Sequence, residues 1–465
     1  MSDWQGFSPL NDFTGPLLDN LKRHPKRIVF PEGEDVRVLR VSQRFVEEQA
    51  GAPILLGRRE VITRMAEMNG ISLKFVRIIE PEKSSDLQMF CDRYERAEQM
   101  FGNGLPMNTR EIVSEPVHFA AMMVLYGQAD AIVAGNMKRV ASVFRAVNKY
   151  RQDPVPTKPL FAISIVLVPE FSKKFGGRGV YFLADTGVNP EPTVENMAYF
   201  AVETAKMARH MLGKSVRVAM LSASTSGSVP ELAADRTRAA AALAKSMVQK
   251  DCLNNEISIE GEIQIDAALS SDSYSVRVHR NSMLQPSEVW VFPTLDAADI
   301  SKKLLCMMPS VYNYGLILGG LLFPIAQLPR LTDEDRMFGT ALVVGNEAIK
   351  FHLLYPRGLL RFIDRARRIR DQQALFLAYG QFSAGQGSSG RAVRIQDVHY
   401  PEYGVFRQVR NMLPAQVIMH GALSQLRRKQ VDFRQEQAPL GICQVHGVQC
   451  LGKRRADLIF QAAGT

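Results

Sequence analysis

Arg27-Ile-Val-Phe-Pro-Glu-Gly-Glu-Asp-Val-Arg-Val-Leu39 carries one structural unit and the start of the next. Arg27-Ile-Val-Phe30 is an apolar run too short for a helix, and Pro31-Glu-Gly33 ends it. It predicts a short buried strand. Val38, Val41 and Phe45 then recur at helical spacing, on one face of a helix. The same unit repeats outward. Pro53-Ile-Leu-Leu-Gly57 predicts a second strand, residues 60–68 a helix, and Phe75-Val-Arg-Ile-Ile79 a third strand. Apolar strands separated by helices predict a parallel sheet covered on both faces.

The alternation continues downstream. Residues 116–126 read as a helix, Ala129-Asp-Ala-Ile-Val-Ala134 as a strand, and 140–150 as a helix. Beyond a break near 150–157, residues 161–168 and 179–183 predict strands around a Lys/Gly-rich hairpin. Further strands are expected at 217–221, 257–263 and 289–292. Helices are expected at 193–212, 233–250, 297–307 and 332–355. Residues 316–323 read as a strand or buried turn. The expected fold class is α/β, with two lobes of mainly parallel sheet and a cleft between them. The first lobe is discontinuous, 1–155 plus 314–356, and the second is 156–313. A cleft of this kind is a usual place for a ligand.

Charge separates the last part of the chain from the rest. The chain of 465 residues carries a net charge of +10. Residues 357–465 hold 17 of the 57 basic and 7 of the 47 acidic residues, which leaves 40 of each for the body. A nucleic-acid role is therefore not expected of the body, and only the tail has the charge for one. That tail is Arg/Gln-rich and contains the linker-like Ser383-Ala-Gly-Gln-Gly-Ser-Ser-Gly390. A poorly ordered appendage is the plain reading, and an RNA- or membrane-surface arm the sharper one. The five cysteines are odd in number and widely spaced, so a disulfide framework is not expected. Cys443, His446 and Cys450 lack a second ligand pair, so no metal is expected there. No apolar run spans a bilayer and no leader is evident, so the expected location is cytoplasmic.

Several strand ends carry polar loops. Leu221-Ser-Ala-Ser-Thr-Ser-Gly-Ser228 offers hydroxyls and backbone N–H groups of the kind that hold phosphate, although ordinary turns share this composition. Asp185, in Ala184-Asp-Thr-Gly-Val-Asn-Pro-Glu-Pro-Thr193, could polarise a substrate or bond its own turn. Glu260, Glu262, Gln264 and Asp266 alternate as on one strand face, for which a solvated edge is the commoner explanation. Asp333, Glu334 and Asp335 open a helix, where acids complement the helix dipole.

Taken together, four blocks resemble the phosphate acetyltransferase and butyryltransferase family. They are residues 27–39, Asp185-Thr-Gly-Val-Asn-Pro-Glu-Pro-Thr193, Arg217-Val-Ala-Met-Leu-Ser-Ala-Ser-Thr-Ser-Gly-Ser228 and Glu260-Gly-Glu-Ile-Gln-Ile-Asp-Ala-Ala-Leu269, in family order. The last matches the family element except at its first residue. The resemblance covers about residues 25–355. It implies an isopropylmalate-dehydrogenase-like fold, usually a homodimer, that exchanges an acyl group between coenzyme A and phosphate. The expected reaction is acetyl-CoA plus phosphate giving acetyl phosphate plus coenzyme A. Coenzyme A is then a substrate, with no permanently bound cofactor and no metal. The same domain is fused to malic enzymes, which motivates a second reading as a non-catalytic acyl-CoA-binding regulator. A metal-dependent dehydrogenase of the same fold would need G-x-G-x-x-G after a strand and an aspartate cluster, and neither is present.

The resemblance also implies roles. Leu328-Pro-Arg-Leu-Thr-Asp-Glu-Asp335 matches the family's L-S-R-G and following acidic turn if the glycine is deleted. Arg330 then takes the phosphate-binding position, Asp335 that of the catalytic base, and Pro329 replaces a serine. Arg145 matches a further family arginine, while Lys138-Arg-Val140 replaces H-S-T. Arg96 is a weaker match to another substrate arginine. Ser222, Ser224, Thr225, Gly227, Ser228 and Asp185 are implied to line the ligand cleft. In Gly315-Leu-Ile-Leu-Gly-Gly-Leu-Leu-Phe-Pro324, Gly319, Leu322 and Phe323 stand where the family has Gln, Asn and Lys.

Overall fold

The computed structural model describes residues 9–100, 108–138, 140–150, 158–229, 232–278, 286–321, 323–354, 442–445, 448–451 and 459–462. It falls into two compact units, Met1–Gly390 and Arg391–Thr465. The expected boundary at 356/357 lies outside the described residues.

The first unit is built on one sheet. Its strands are β1 (Lys26–Phe30), β2 (Gly51–Leu56), β3 (Arg77–Ile79), β4 (Ala131–Ala134), β5 (Phe161–Leu167), β6 (Val180–Ala184), β7 (Val216–Leu221), β8 (Ile257–Ile263), β9 (Val289–Val291), β10 (Tyr312–Gly319) and β11 (Ile325–Gln327). They are ordered β3-β2-β1-β4-β11-β10-β5-β6-β9-β7-β8. β1 to β4 and β11 run parallel, as do β6 to β9. Between these groups, β10 and β5 are antiparallel to both of their neighbours. Strand direction therefore reverses between β11 and β6.

Burial explains the continuous apolar strands. All four residues of β4 and all seven of β5 are buried, because helices cover both faces. The Val36–Glu47 helix turns Val38, Leu39, Val41 and Phe45 inward, as its period predicts. Asp35 caps it by accepting from Arg37 N. Thr193 caps the Val194–Leu212 helix through Asn196 N at 3.2 Å, and Gly213 ends that helix in the left-handed region. The β5–β6 hairpin forms, with the short helix Pro169–Phe175 in its connection.

Residues 316–323 form a strand only in part. β10 ends at Gly319, and a register irregularity lies between Tyr314 and Ile317. A Cβ on Gly315 would lie 2.9 Å from Thr340 Cγ2, and one on Gly319 2.2 Å from Phe161 Cε1. The Phe161 ring thus fills the space a side chain at 319 would need. Phe323 is buried in the core, and Leu322 lies outside the described residues.

The described residues of the second unit are three antiparallel strands, Ile442–Val445, Val448–Leu451 and Ile459–Ala462. Cys443 pairs in register with Cys450, and His446 lies outside the described residues. So does most of the tail. No helix among the described residues is long and apolar enough to cross a membrane.

Candidate active site

β1, β4 and β11 are parallel neighbours, so their following loops meet at one end of the sheet. The loop after β1 sends the Glu32 carboxylate into the loop after β4. Its Oε2 accepts from Gly135 N at 3.0 Å and Asn136 N at 2.7 Å. Its Oε1 accepts from Met137 N at 2.9 Å and Lys138 N at 2.7 Å. Asn136, fully buried, joins the third loop. Its Nδ2 donates to Asp35 Oδ2 at 2.7 Å, and its Oδ1 accepts from Thr332 N at 3.0 Å. Leu331 N donates to Asn136 O at 3.1 Å.

The third loop carries the expected phosphate-binding arginine and base. Arg330 is exposed, and no ion pair among the described residues engages it. Asp333 caps the Glu334–Leu354 helix, with Oδ1 accepting from Arg336 N at 2.9 Å. Burial alone would raise the Asp333 carboxyl, but the Arg336 backbone N–H and guanidinium hold it below the ordinary carboxylate range. Asp335 is exposed and accepts from Arg44 Nη1 at 2.8 Å, and Glu334 accepts from Arg40 Nη1 at 2.8 Å. Arg37, Arg40 and Arg44 recur at helical spacing on the Val36–Glu47 helix. With Val41 and the three acids they line a recess of about 390 Å³. The acids thus meet guanidinium groups as well as the helix dipole.

Arg145 lies in a different recess of about 380 Å³, with Glu115, Val117, His118, Lys138, Ser142 and Ala146. Its Nε donates to Ala141 O at 3.2 Å. Lys138 Nζ is 3.5 Å from Glu115, and His118 Nδ1 is 3.1 Å from the Tyr150 hydroxyl. Lys138 belongs to both networks: Glu32 holds its backbone, and its side chain faces the Arg145 recess. Arg96 is exposed on the Leu87–Met100 helix and lines neither recess.

The hydroxyl loop after β7 has the bonding of an ordinary turn, the plainer of its two sequence readings. Its N–H groups are consumed within the protein. Ser224 N donates to Ser222 Oγ at 3.2 Å, Thr225 N to Ser228 Oγ at 3.1 Å and Val229 N to Ser224 Oγ at 3.1 Å. Gly227 N donates to Glu262 Oε1 at 2.7 Å. No open phosphate cradle of backbone N–H groups is left, though Ser226, Gly227 and Ser228 are exposed.

Glu262 is corrected. β8 is an edge strand, yet Glu262 is only 4 % exposed. The β7–β8 register shifts there, pairing Met220 with Gly261 but Leu221 with Ile263, which takes Glu262 out of the ladder. Its carboxylate accepts from Ser224 Oγ at 3.0 Å, Arg238 Nε at 2.8 Å and Arg238 Nη2 at 3.0 Å, besides Gly227. Burial alone would raise its pKa. The Arg238, Gly227 and Ser224 hydrogen bonds overcome that and hold it at about 2. Gln264 and Asp266 have left the strand: Gln264 is the N-cap of the short Ile265–Leu269 helix, and Asp266 lies in its first turn.

Asp185 bonds its own turn. Oδ1 accepts from Ala162 N at 2.8 Å, Gly187 N at 3.0 Å and Val188 N at 3.2 Å. Oδ2 accepts from Asn189 N at 2.8 Å and Asn189 Nδ2 at 2.5 Å. Burial raises its pKa, and these bonds offset the rise only in part. A carboxylate that already has five donors is a loop anchor.

The structure therefore joins Arg330 and Asp335 to the loop of Lys138. Strand direction reverses before the hydroxyl loop. No hydrogen bond or ion pair among the described residues joins that loop to residues 328–335. Sequence reasoning missed Glu32, Asn136, Arg44 and Arg238. The row Arg37, Arg40, Arg44 was visible as a polar helix face, but its apposition to the acidic turn is tertiary.

Comparison with known proteins supplies the context. The family model described as phosphate acetyl/butaryl transferase matches residues 12–344. A phosphate acetyltransferase of Thermoanaerobacterium thermosaccharolyticum is 30 % identical over 314 residues, 68 % of this chain and 92 % of that protein. An NADP-dependent malic enzyme of Escherichia coli is 31 % identical over 345 residues, 73 % of this chain but 43 % of that protein. The solved EutD phosphotransacetylase of Staphylococcus aureus superposes with a TM-score of 0.65 at 26 % identity, covering 73 % of this chain and 99 % of that one.

Proposed function

This chain belongs to the phosphate acetyl/butaryl transferase family, and from that premise we propose that it is a phosphate acetyltransferase. The observation that carries the reading is the match to nearly the whole length of a phosphate acetyltransferase, 92 % of it. Coenzyme A and phosphate are then substrates. We assign Asp335 as the base. A free thiol has a pKa of about 8.5, so a carboxylate that takes its proton makes the stronger nucleophile at neutral pH. The thiolate attacks the acyl phosphate carbonyl, the C–O bond to phosphate breaks, and phosphate leaves on Arg330 and Arg145. The reverse sequence runs from acetyl-CoA and phosphate.

The site geometry favours side-chain recognition of phosphate. Glu32, Asp185 and Glu262 each occupy backbone N–H groups at a strand end. That leaves cationic side chains to meet an anion, with Arg330 and Arg145 exposed. The replacement of the family serine by Pro329 and of H-S-T by Lys138-Arg-Val140 is compatible with this, because Lys138 brings a further cation to the Arg145 recess. Arg139 lies outside the described residues. We assign coenzyme A contacts to the exposed side of Ser222–Ser228 and place the division between lobes at β5 and β10. A cytoplasmic homodimer is part of the same proposal. Nothing among the described residues favours the non-catalytic reading.

The test is thioester formation from acetyl phosphate and coenzyme A by the purified protein. The proposal predicts a rise in thioester absorbance that saturates in both substrates. No thioester at any substrate concentration, from folded protein, would overturn it.

A further inference from the structure

We propose that Glu32 is a positioning residue for phosphate: it fixes the Lys138 loop against the Arg330 segment and so sets the spacing of the cations that meet the anion. This rests on the transferase reading only for its kinetic consequence. The geometry stands by itself. Four consecutive N–H groups, Gly135 to Lys138, converge on one carboxylate at 2.7–3.0 Å. Successive N–H groups in a turn make a concave anion site. Here the protein's own anion fills it, so an external phosphate is directed to the side chains around it.

The loop is held from its other side as well. Gly135 has φ of +102°, and a Cβ there would lie 2.6 Å from Gln327 Nε2 and 2.9 Å from Leu328 O. Leu328 N donates to Ala134 O at 2.7 Å. Asn136 passes the constraint on to Leu331 and Thr332, the two residues that follow Arg330 in the same loop. Asp35, bonded to Asn136, also pairs with Arg37 at 2.7 Å, and Arg37 Nη2 lies 3.5 Å from Met137 Sδ. The result is one rigid assembly of three loops with Glu32 as its anionic centre. No ion pair among the described residues neutralises Glu32; four charge-assisted backbone bonds do that work.

The substitution Glu32→Gln keeps the shape but replaces one acceptor oxygen with an NH₂ donor facing two N–H groups. We expect faster amide exchange, read by mass spectrometry, in peptides covering 135–138 and in those covering 331–332. We also expect the KM for phosphate to rise and kcat/KM for phosphate to fall by about 10- to 100-fold, with the KM for acetyl-CoA unchanged. Asn136→Ala is the second variant. It should release 331–332 while leaving 135–138 protected, and weaken phosphate use less than Glu32→Gln.

Unchanged exchange at 135–138 in Glu32→Gln would overturn the proposal. So would faster exchange with phosphate kinetics untouched, because Glu32 would then be structural only. If the wild-type protein releases no thiol, the transferase reading fails separately. Calorimetric titration with inorganic phosphate then decides: weaker binding in Glu32→Gln supports the positioning role, and equal binding overturns it.

Discussion

Glu262 and Glu32 hold loops in the same way at two places in the sheet, and their surroundings differ. Glu262 is buried, and the half-exposed Arg238 guanidinium pairs with it while the hydroxyl loop satisfies the remaining lone pairs. Among the described residues Glu32 accepts hydrogen bonds from backbone N–H groups and makes no ion pair, and the cations near its loop, Lys138, Arg145 and Arg330, keep exposed side chains. Around Glu262 the charge is balanced by a paired side-chain cation. On the proposed function, the cations around Glu32 are those that meet an anionic ligand. On that proposed function the first arrangement is scaffold and the second belongs to the site, although in sequence Glu262 reads as part of a polar strand face and Glu32 as part of a strand-ending turn.

Substitutions can break or sharpen this contrast. The largest effect belongs to the open side. Asp335→Asn should lower turnover by about 10²- to 10⁴-fold, as loss of a general base does, with stability changed by less than about 1 kcal/mol because its pair with Arg44 is exposed. Steady-state rates and denaturant unfolding of the same preparation check both halves of that statement.

On the closed side the effect should appear in stability. Glu262→Ala leaves Gly227 N and Ser224 Oγ without their acceptor and should cost about 3 kcal/mol in denaturant unfolding. The pH dependence has a definite sign. The folded pKa of about 2 lies below the ordinary 4.5, so this contribution is full above pH 4.5 and is lost as pH falls toward 2. A titration of unfolding free energy from pH 6 to 2 should be flatter in Glu262→Gln than in the wild type. Equal slopes would remove Glu262 from the closed side.

Smaller effects test the edges of the contrast. Lys138→Ala should raise the KM for phosphate about tenfold, the equivalent of 1.4 kcal/mol, without moving the KM for acetyl-CoA. The smallest is Arg44→Ala. Its exposed pair with Asp335 predicts a stability change between 0 and about 1 kcal/mol, reduced further by salt.

Much of the fold was legible because burial on two faces leaves a plain signature. β1, β4, β5 and β8, and the 194–212 and 232–250 helices, follow from apolar runs and helical spacing. The Leu87–Met100 helix and the three-residue β11 were not read. The first does carry a buried face at helical spacing, Leu87, Phe90, Cys91 and Tyr94, set among charged residues, and the second is too short for a period. The site was legible by residue type only. Arg330, Arg145 and Asp335 stood out through resemblance. Nothing local says that Asp335 meets Arg44, nearly 300 positions away, or that Arg145 lies in another recess. Glu262 defeated local reading because a register shift decides where its carboxylate points, whereas Asp185 makes the turn bonds that were one of its two sequence readings.

The most direct measurement follows thiol release from acetyl-CoA with a thiol reagent, with and without inorganic phosphate, in the wild type and Asp335→Asn. The account predicts release that depends on phosphate, saturates with it, and collapses in Asp335→Asn. Release that ignores phosphate, or that Asp335→Asn retains in full, would contradict it.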